Sequence, residues 1–127
     1  MVERVLIVDD SGLIRKCIRR FLEQSGLAVE HFFEASNGAE ALRVLELQKV
    51  DLLVTDISMP EMDGVEMLRA LQDIPGSSSI HKIVISSIAT DKWADELHEL
   101  GVAAVLAKPP DMAELIRALR DMKLVES

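Results

Sequence analysis

Five short apolar runs punctuate the chain, and apolar positions at helical spacing follow each one. Arg4–Val8 (RVLIV) is rich in branched residues and is closed by two acids, which reads as a buried strand. After the turn Asp9-Asp10-Ser11-Gly12, residues Leu13, Ile14, Cys17, Ile18, Phe21 and Leu22 mark one helix face, with Arg15, Lys16, Arg19, Arg20 and Glu23 on the other. Ser25-Gly26 ends that helix, glycine supplying a left-handed cap. The second strand spans 29–35 and is interrupted by Glu30, His31 and Glu34. Ser36-Asn37-Gly38 is turn chemistry with N-cap candidates, and the helix behind it runs to about Gln48 with Ala41, Leu42 and Leu45 inward.

Residues 51–55 form the third strand, followed by the loop Met59-Pro60-Glu61-Met62-Asp63-Gly64. Val65, Leu68, Ala70 and Leu71 predict a helix that ends near Ile74, and 75–79 (PGSSS) reads as an exposed loop and the most flexible point. Residues 82–86 (KIVIS) are the fourth strand, 91–100 a helix with Gly101 just past its end, and Val102–Ala107 the fifth strand. Lys108-Pro109-Pro110 breaks that strand, because proline cannot donate to a ladder. Asp111 caps a last helix of about 111–123 whose Met112, Leu115, Ile116, Leu119 and Met122 share a face.

Strands alternating with helices, the strands apolar throughout, predict an α/β protein with a parallel sheet covered on both faces. The 127 residues suit one domain, expected to span 1–127. A composition 49% apolar and 28% charged is that of a globular chain, and a net charge of −8 argues against a nucleic-acid surface. No run approaches the length needed to cross a bilayer and the N-terminus lacks a signal-peptide layout, so the expected location is the cytoplasm. The single Cys17 has no partner within the chain and reads as a core thiol.

All strands of a parallel sheet end at one rim, where open α/β sheets place their ligands. Just past the strand ends stand Asp9-Asp10 at the first, Asp56 at the third, Ser86-Ser87 at the fourth and Lys108-Pro109 at the fifth. Three carboxylates held together repel one another, and a hard divalent cation removes the conflict. Mg²⁺ fits, or another divalent cation such as Mn²⁺, since Mg²⁺ binds through one or two carboxylates, keeps waters and uses phosphate oxygens. Lys108 adds a compact positive charge and Ser86 a neutral donor. That set suits a transferring phosphoryl group, with Asp56 as nucleophile and an acyl phosphate as product.

These residues carry a resemblance. Asp9-Asp10, the block Asp56-x-x-Met59-Pro60-x-Met62-Asp63-Gly64, Ser86 and Lys108-Pro109 stand in the order and at the separations of a response-regulator receiver domain of two-component signalling, of the chemotaxis-regulator type. The resemblance covers nearly the whole chain. It implies a (βα)5 doubly wound, flavodoxin-like fold with strand order 2-1-3-4-5. It implies that Asp56 accepts phosphate from a histidine kinase or phosphotransfer protein. Asp9 and Asp10 then help hold Mg²⁺, with the main-chain carbonyl of Ser58 as a further ligand. Ser86 bonds the phosphoryl oxygen on switching, Lys108 contacts it, and the Lys108–Pro109 bond is cis. The face of the fourth helix, fifth strand and fifth helix would contact an output protein or a missing effector domain, or pair two copies after phosphorylation.

Three positions depart from that pattern. Val105 stands where an aromatic switch residue is usual, so the signal is expected to travel through the loop after Ser86 instead. Ile88, two beyond Ser86, is apolar and flanks the path of attacking water, which predicts a long-lived phosphoryl group. Pro110 replaces an aromatic after Lys-Pro. Asp63 reads as a helix cap, Ser87 as a turn residue, Glu61 as a solvated charge, and His31, His81 and His98 as surface or structural residues without ligand spacing. Trp93 either packs on the sheet flank or stands on the partner face. The competing functions are a pseudo-receiver that signals without phosphate, and a metal-dependent hydrolase. The hydrolase would want an acid two residues after its nucleophile, where Ser58 stands.

Overall fold

Side chains that alternate between the two faces of the strands sort the apolar residues into two layers on either side of one sheet. The computed structural model describes residues 2, 4–88 and 90–126. Strands β1 (Arg4–Val8), β2 (His31–Ala35), β3 (Leu52–Thr55), β4 (His81–Ser86) and β5 (Val102–Ala107) lie parallel in the order β2-β1-β3-β4-β5. Helices α1 (Gly12–Gln24), α2 (Gly38–Leu47), α3 (Gly64–Leu71), α4 (Ala94–Glu99) and α5 (Met112–Asp121) connect or follow them. Because side chains alternate across a strand, Val5, Ile7, Leu52, Val54, Ile83 and Ile85 pack with Ile18 and Leu22 of α1 and Leu115 and Leu119 of α5. Leu6, Val8, Leu53 and Val84 pack the other way, with Ala41, Leu45, Val65, Leu68, Leu71 and Leu97 of α2, α3 and α4.

The helix starts follow the capping chemistry of the sequence. Asn37 accepts from Glu40 N at 2.9 Å, Asp63 from Glu66 N at 2.9 Å and Asp111 from Glu114 N at 3.1 Å, each filling an orphan donor of a first turn. Ser11, which the sequence places only in a turn, caps α1 by accepting from Ile14 N at 3.2 Å.

Several expectations change. β5 is not buried on both faces: it is an edge strand whose Ala103, Val105 and Ala107 are exposed, so its apolar run marks a face rather than a core. The segment 75–79 is not wholly loop, because Ser77–Ser79 closes a 3₁₀ turn with Ser77 buried and Ile80 N bonded to the Ser77 carbonyl at 3.1 Å. The helix expected over 91–100 begins as a 3₁₀ turn, Asp91–Trp93, before α4. α3 stops at Leu71, and 3₁₀-type bonds to Gln72, Asp73 and Ile74 extend the turn without α geometry. Cys17 is half-buried rather than in the core, whereas the three histidines are exposed, in keeping with a surface reading. Trp93 is half-buried against the α2–α3–α4 layer, with Lys92 Nζ 4.3 Å above its ring. Among the described residues no helix is long and apolar enough to cross a membrane.

Candidate functional site

Strand register sets the site. Val8 stands beside Thr55, and Thr55 beside Val84, so Asp9 and Asp56 leave neighbouring strands at one level. Asp56 N donates to the Val8 carbonyl at 2.9 Å, extending the ladder one step past the strand. Ser86 pairs with Ala107, and Lys108 N donates to the Ser86 carbonyl at 3.0 Å, which starts the Lys108 side chain just beyond Ser86. The Lys108–Pro109 bond is cis.

Asp9 and Asp56 are buried, at 1% and 3% exposure, and Asp10 is exposed beside them. One carboxylate oxygen from each lies within 4.8 Å of the others. Asp56 Oδ1 accepts from Ile57 N at 2.7 Å and Oδ2 accepts from Lys108 Nζ at 2.9 Å. Asp9 Oδ1 accepts from Ser11 N at 2.9 Å. Asp9 Oδ2 lies 2.7 Å from Lys108 Nζ, but at an angle that leaves this buried oxygen without a formed hydrogen bond. Burial alone would lower the pKa of Lys108, yet its contacts to Asp9 and Asp56 outweigh that and raise it above its usual 10.5. One ammonium thus pairs with two of a group of three carboxylates. This surplus of negative charge, with the buried Asp9 Oδ2 held only by its ion pair to Lys108, fits a divalent cation.

Ser86 is buried, and its Oγ accepts from Ile88 N at 3.2 Å, which leaves its O–H free to donate. Ser58 is exposed on the loop that follows Ile57. Ile88 and Val105, the two departures, are exposed at 40% and 45%. The structure therefore brings Asp9, Asp10 and Asp56 together, with Lys108 on Asp9 and Asp56, while Ser86 ends β4 and Ser58 stands on the loop after β3.

Four contributors were not legible as site residues. Arg15, assigned to a solvated helix face, sends Nη1 to the Asp9 carbonyl at 2.5 Å and Nε to Glu34 Oε1 at 2.8 Å, which braces the turn that carries Asp9. Its partner is a main-chain carbonyl, which no side-chain pattern reveals. Thr55 is buried with its hydroxyl donating to the Asp56 carbonyl at 2.8 Å. Gly64 N donates to the Ile57 carbonyl at 2.8 Å, folding the loop back onto the end of β3, and a Cβ there would collide with the Asp56 carbonyl oxygen. Gly38 takes a similar role across the rim: its N donates to the Met62 carbonyl at 3.0 Å, and a Cβ would meet Met62.

Comparison with known proteins agrees with this geometry. Residues 5–120 match the model of the response regulator receiver domain. The chain is 32% identical to sporulation initiation phosphotransferase F of Bacillus subtilis over 94% of this chain and 93% of that one. It is 31% identical to the chemotaxis protein CheY of the same organism, over 94% and 96%. The crystal structure of a CheY-like receiver domain protein from Methanospirillum hungatei superposes with a TM-score of 0.79 at 30% identity, covering 98% of this chain and 94% of that one. With the strand order, the acidic rim and the match over nearly all its length in agreement, the chain belongs to the response regulator receiver domain family of two-component systems.

Proposed function

We propose that the chain, residues 1–127 acting as one unit, is a phospho-accepting switch in the cytoplasm. Asp56 takes a phosphoryl group from a histidine kinase or phosphotransfer protein. The observation that carries this is the setting of Asp56: a buried carboxylate with one oxygen on Lys108 Nζ at 2.9 Å, inside a group of three acids. In the transfer an Asp56 oxygen forms a bond to phosphorus as the nitrogen–phosphorus bond of the donor's phosphohistidine breaks, and the imidazole nitrogen keeps the electron pair. Asp9, Asp10 and Asp56, with the Ser58 main-chain carbonyl, would hold Mg²⁺. When bound, the cation neutralises charge on the phosphoryl oxygens and so lowers the barrier to a carboxylate attacking an anion.

The chain's own groups divide the remaining work. Ile57 N fixes one Asp56 oxygen, so the other faces Lys108 and the incoming phosphorus. Lys108 supplies a fixed positive charge to a phosphoryl oxygen. The Ser86 O–H donates to another once the group is in place, which draws the segment 86–88 toward Asp56. Ile88 moves with it, because its N–H already rests on Ser86 Oγ. That route needs no aromatic at Val105 and ends on the face of α4, β5 and α5, where an output protein or effector domain would read it. The chain acts as a switch rather than as an enzyme with turnover.

Titrating the protein with beryllofluoride and Mg²⁺ tests this, read by Trp93 fluorescence and amide shifts. The expected result is saturable change centred on Asp56, Ser86 and Ile88 that Asp56→Asn abolishes. A flat response from a folded wild type would instead make the chain a phosphate-independent interaction module.

A further inference from the structure

A second charged side chain is buried far from the phosphoryl site. Lys82 is the second residue of β4, at the opposite end of that strand from Ser86, and is only 6% exposed. Its ammonium donates to the Ile80 carbonyl at 3.1 Å and the Ser77 carbonyl at 3.3 Å, and among the described residues no carboxylate pairs with it. A lysine ammonium has three N–H donors, so two carbonyls leave it short of one partner and of any negative charge. It lines a cavity of about 260 Å³ walled by Leu68 and Leu71 of α3 and by Leu100, with Gln72 and Ser77 as polar neighbours. Gly101 forms part of the wall, and a Cβ there would stand 3.4 Å from Lys82 Nζ. Gly101 also has φ +85°, so a side chain at this position is strained by the backbone.

We propose that this cavity binds a small aliphatic monocarboxylate, its carboxylate on Lys82 and its tail against the three leucines. The charge calls for an anion and the leucines for an apolar body. The volume falls just under the range of drug-sized sites and suits a ligand of about four to six carbons. Glu99 at the mouth is exposed and negative, which disfavours a dianion such as phosphate. Burial holds the Lys82 pKa below its usual 10.5, as expected of an ammonium that lacks a counter-ion.

The test is an amide-shift titration of the full chain at pH 7 with sodium butyrate, run beside inorganic phosphate and sodium chloride at matched ionic strength. The expected result is saturable shifts at Ser77, Lys82 and Gly101 with a Kd on the order of 1 mM. Lys82→Met should weaken binding about tenfold or more, with its remaining spectrum unchanged, and Glu99→Gln should tighten it. Shifts that chloride reproduces, equal affinity for phosphate, or butyrate binding that survives in Lys82→Met would each overturn the proposal. So would weaker binding in Glu99→Gln, because Glu99 would then be part of the ligand's support. A wild type that shows no saturable shift leaves Lys82 a structural lysine and ends the proposal.

Discussion

Gly64 shows how one residue type can decide a site without doing chemistry. Its nitrogen bonds the Ile57 carbonyl at 2.8 Å, and the Asp56 carbonyl occupies the space a Cβ would need. The clash is with backbone, so no rotamer relieves it. Gly64→Ala is expected to cost about 1–3 kcal/mol in urea unfolding, the range for forced overpacking, and to weaken beryllofluoride binding because Asp56 must shift. Wild-type stability in Gly64→Ala would show that the loop relaxes freely. Lys108 makes a pH prediction. Its folded pKa is raised above 10.5, so its contribution to stability is complete below 10.5 and is lost as pH climbs through the folded value. In EDTA, wild type should therefore lose more stability than Lys108→Met between pH 10 and the alkaline limit. Parallel curves for the two proteins would mean that the contacts to Asp9 and Asp56 do not persist in solution.

At the scale of elements, what the sequence could and could not announce divides along physical lines. β1, β3 and β4 were legible because their apolar, mostly branched cores (VLIV, LLV, IVI) have few other uses in a chain of this charge, and the helix starts because Asn37, Asp63 and Asp111 are caps with one geometry. β5 carries an equally apolar run, yet it lies at the sheet's edge with Ala103, Val105 and Ala107 exposed. Burial of a strand depends on its place in the sheet, and spacing along the chain does not encode that place. The 3₁₀ turns at Ser77–Ser79 and Asp91–Trp93 were missed because their i to i+3 bonds leave no longer period to detect. For the site, the acids, Ser86 and Lys108 were readable from strand ends, whereas Arg15 was not, since its partner is a carbonyl. If Asp56 is phosphorylated as proposed, the segment after β4 is expected to set how long the phosphoryl group survives. Ile88 is exposed at 40% and is tied through its N–H to Ser86 Oγ, and we propose that its branched side chain hinders water on the way to Asp56. Ile88→Ala should speed loss of label from phosphorylated protein in Mg²⁺ by roughly two- to tenfold, equivalent to up to about 1.4 kcal/mol of barrier. An unchanged or longer half-life would move the control of water elsewhere.

At the scale of the whole molecule, the sheet keeps its electrostatic conflict at one rim. The two apolar layers supply the cohesion, and the acids sit beyond them, where three carboxylates meet one ammonium in a chain of net charge −8. Folding without a cation must work against that repulsion, so a ligand that binds only the assembled rim adds its binding free energy to stability. At ten times its Kd, Mg²⁺ should contribute about 1.4 kcal/mol, which for a domain of this size is a rise of roughly 4–8 °C in melting temperature. Asp10 separates the two effects, because it is exposed and, unlike Asp9 and Asp56, makes no ion pair with Lys108 among the described residues. Asp10→Asn should leave the metal-free protein as stable as wild type or more so, since one repelling charge is gone. The same change should abolish most of the Mg²⁺-dependent rise. Thermal melts of both proteins in EDTA and in MgCl₂, with KCl holding ionic strength constant, read the two signs independently. A loss of stability in EDTA would show that Asp10 has a structural role, and an undiminished Mg²⁺ response would remove Asp10 from the metal site and leave the cation to Asp9 and Asp56.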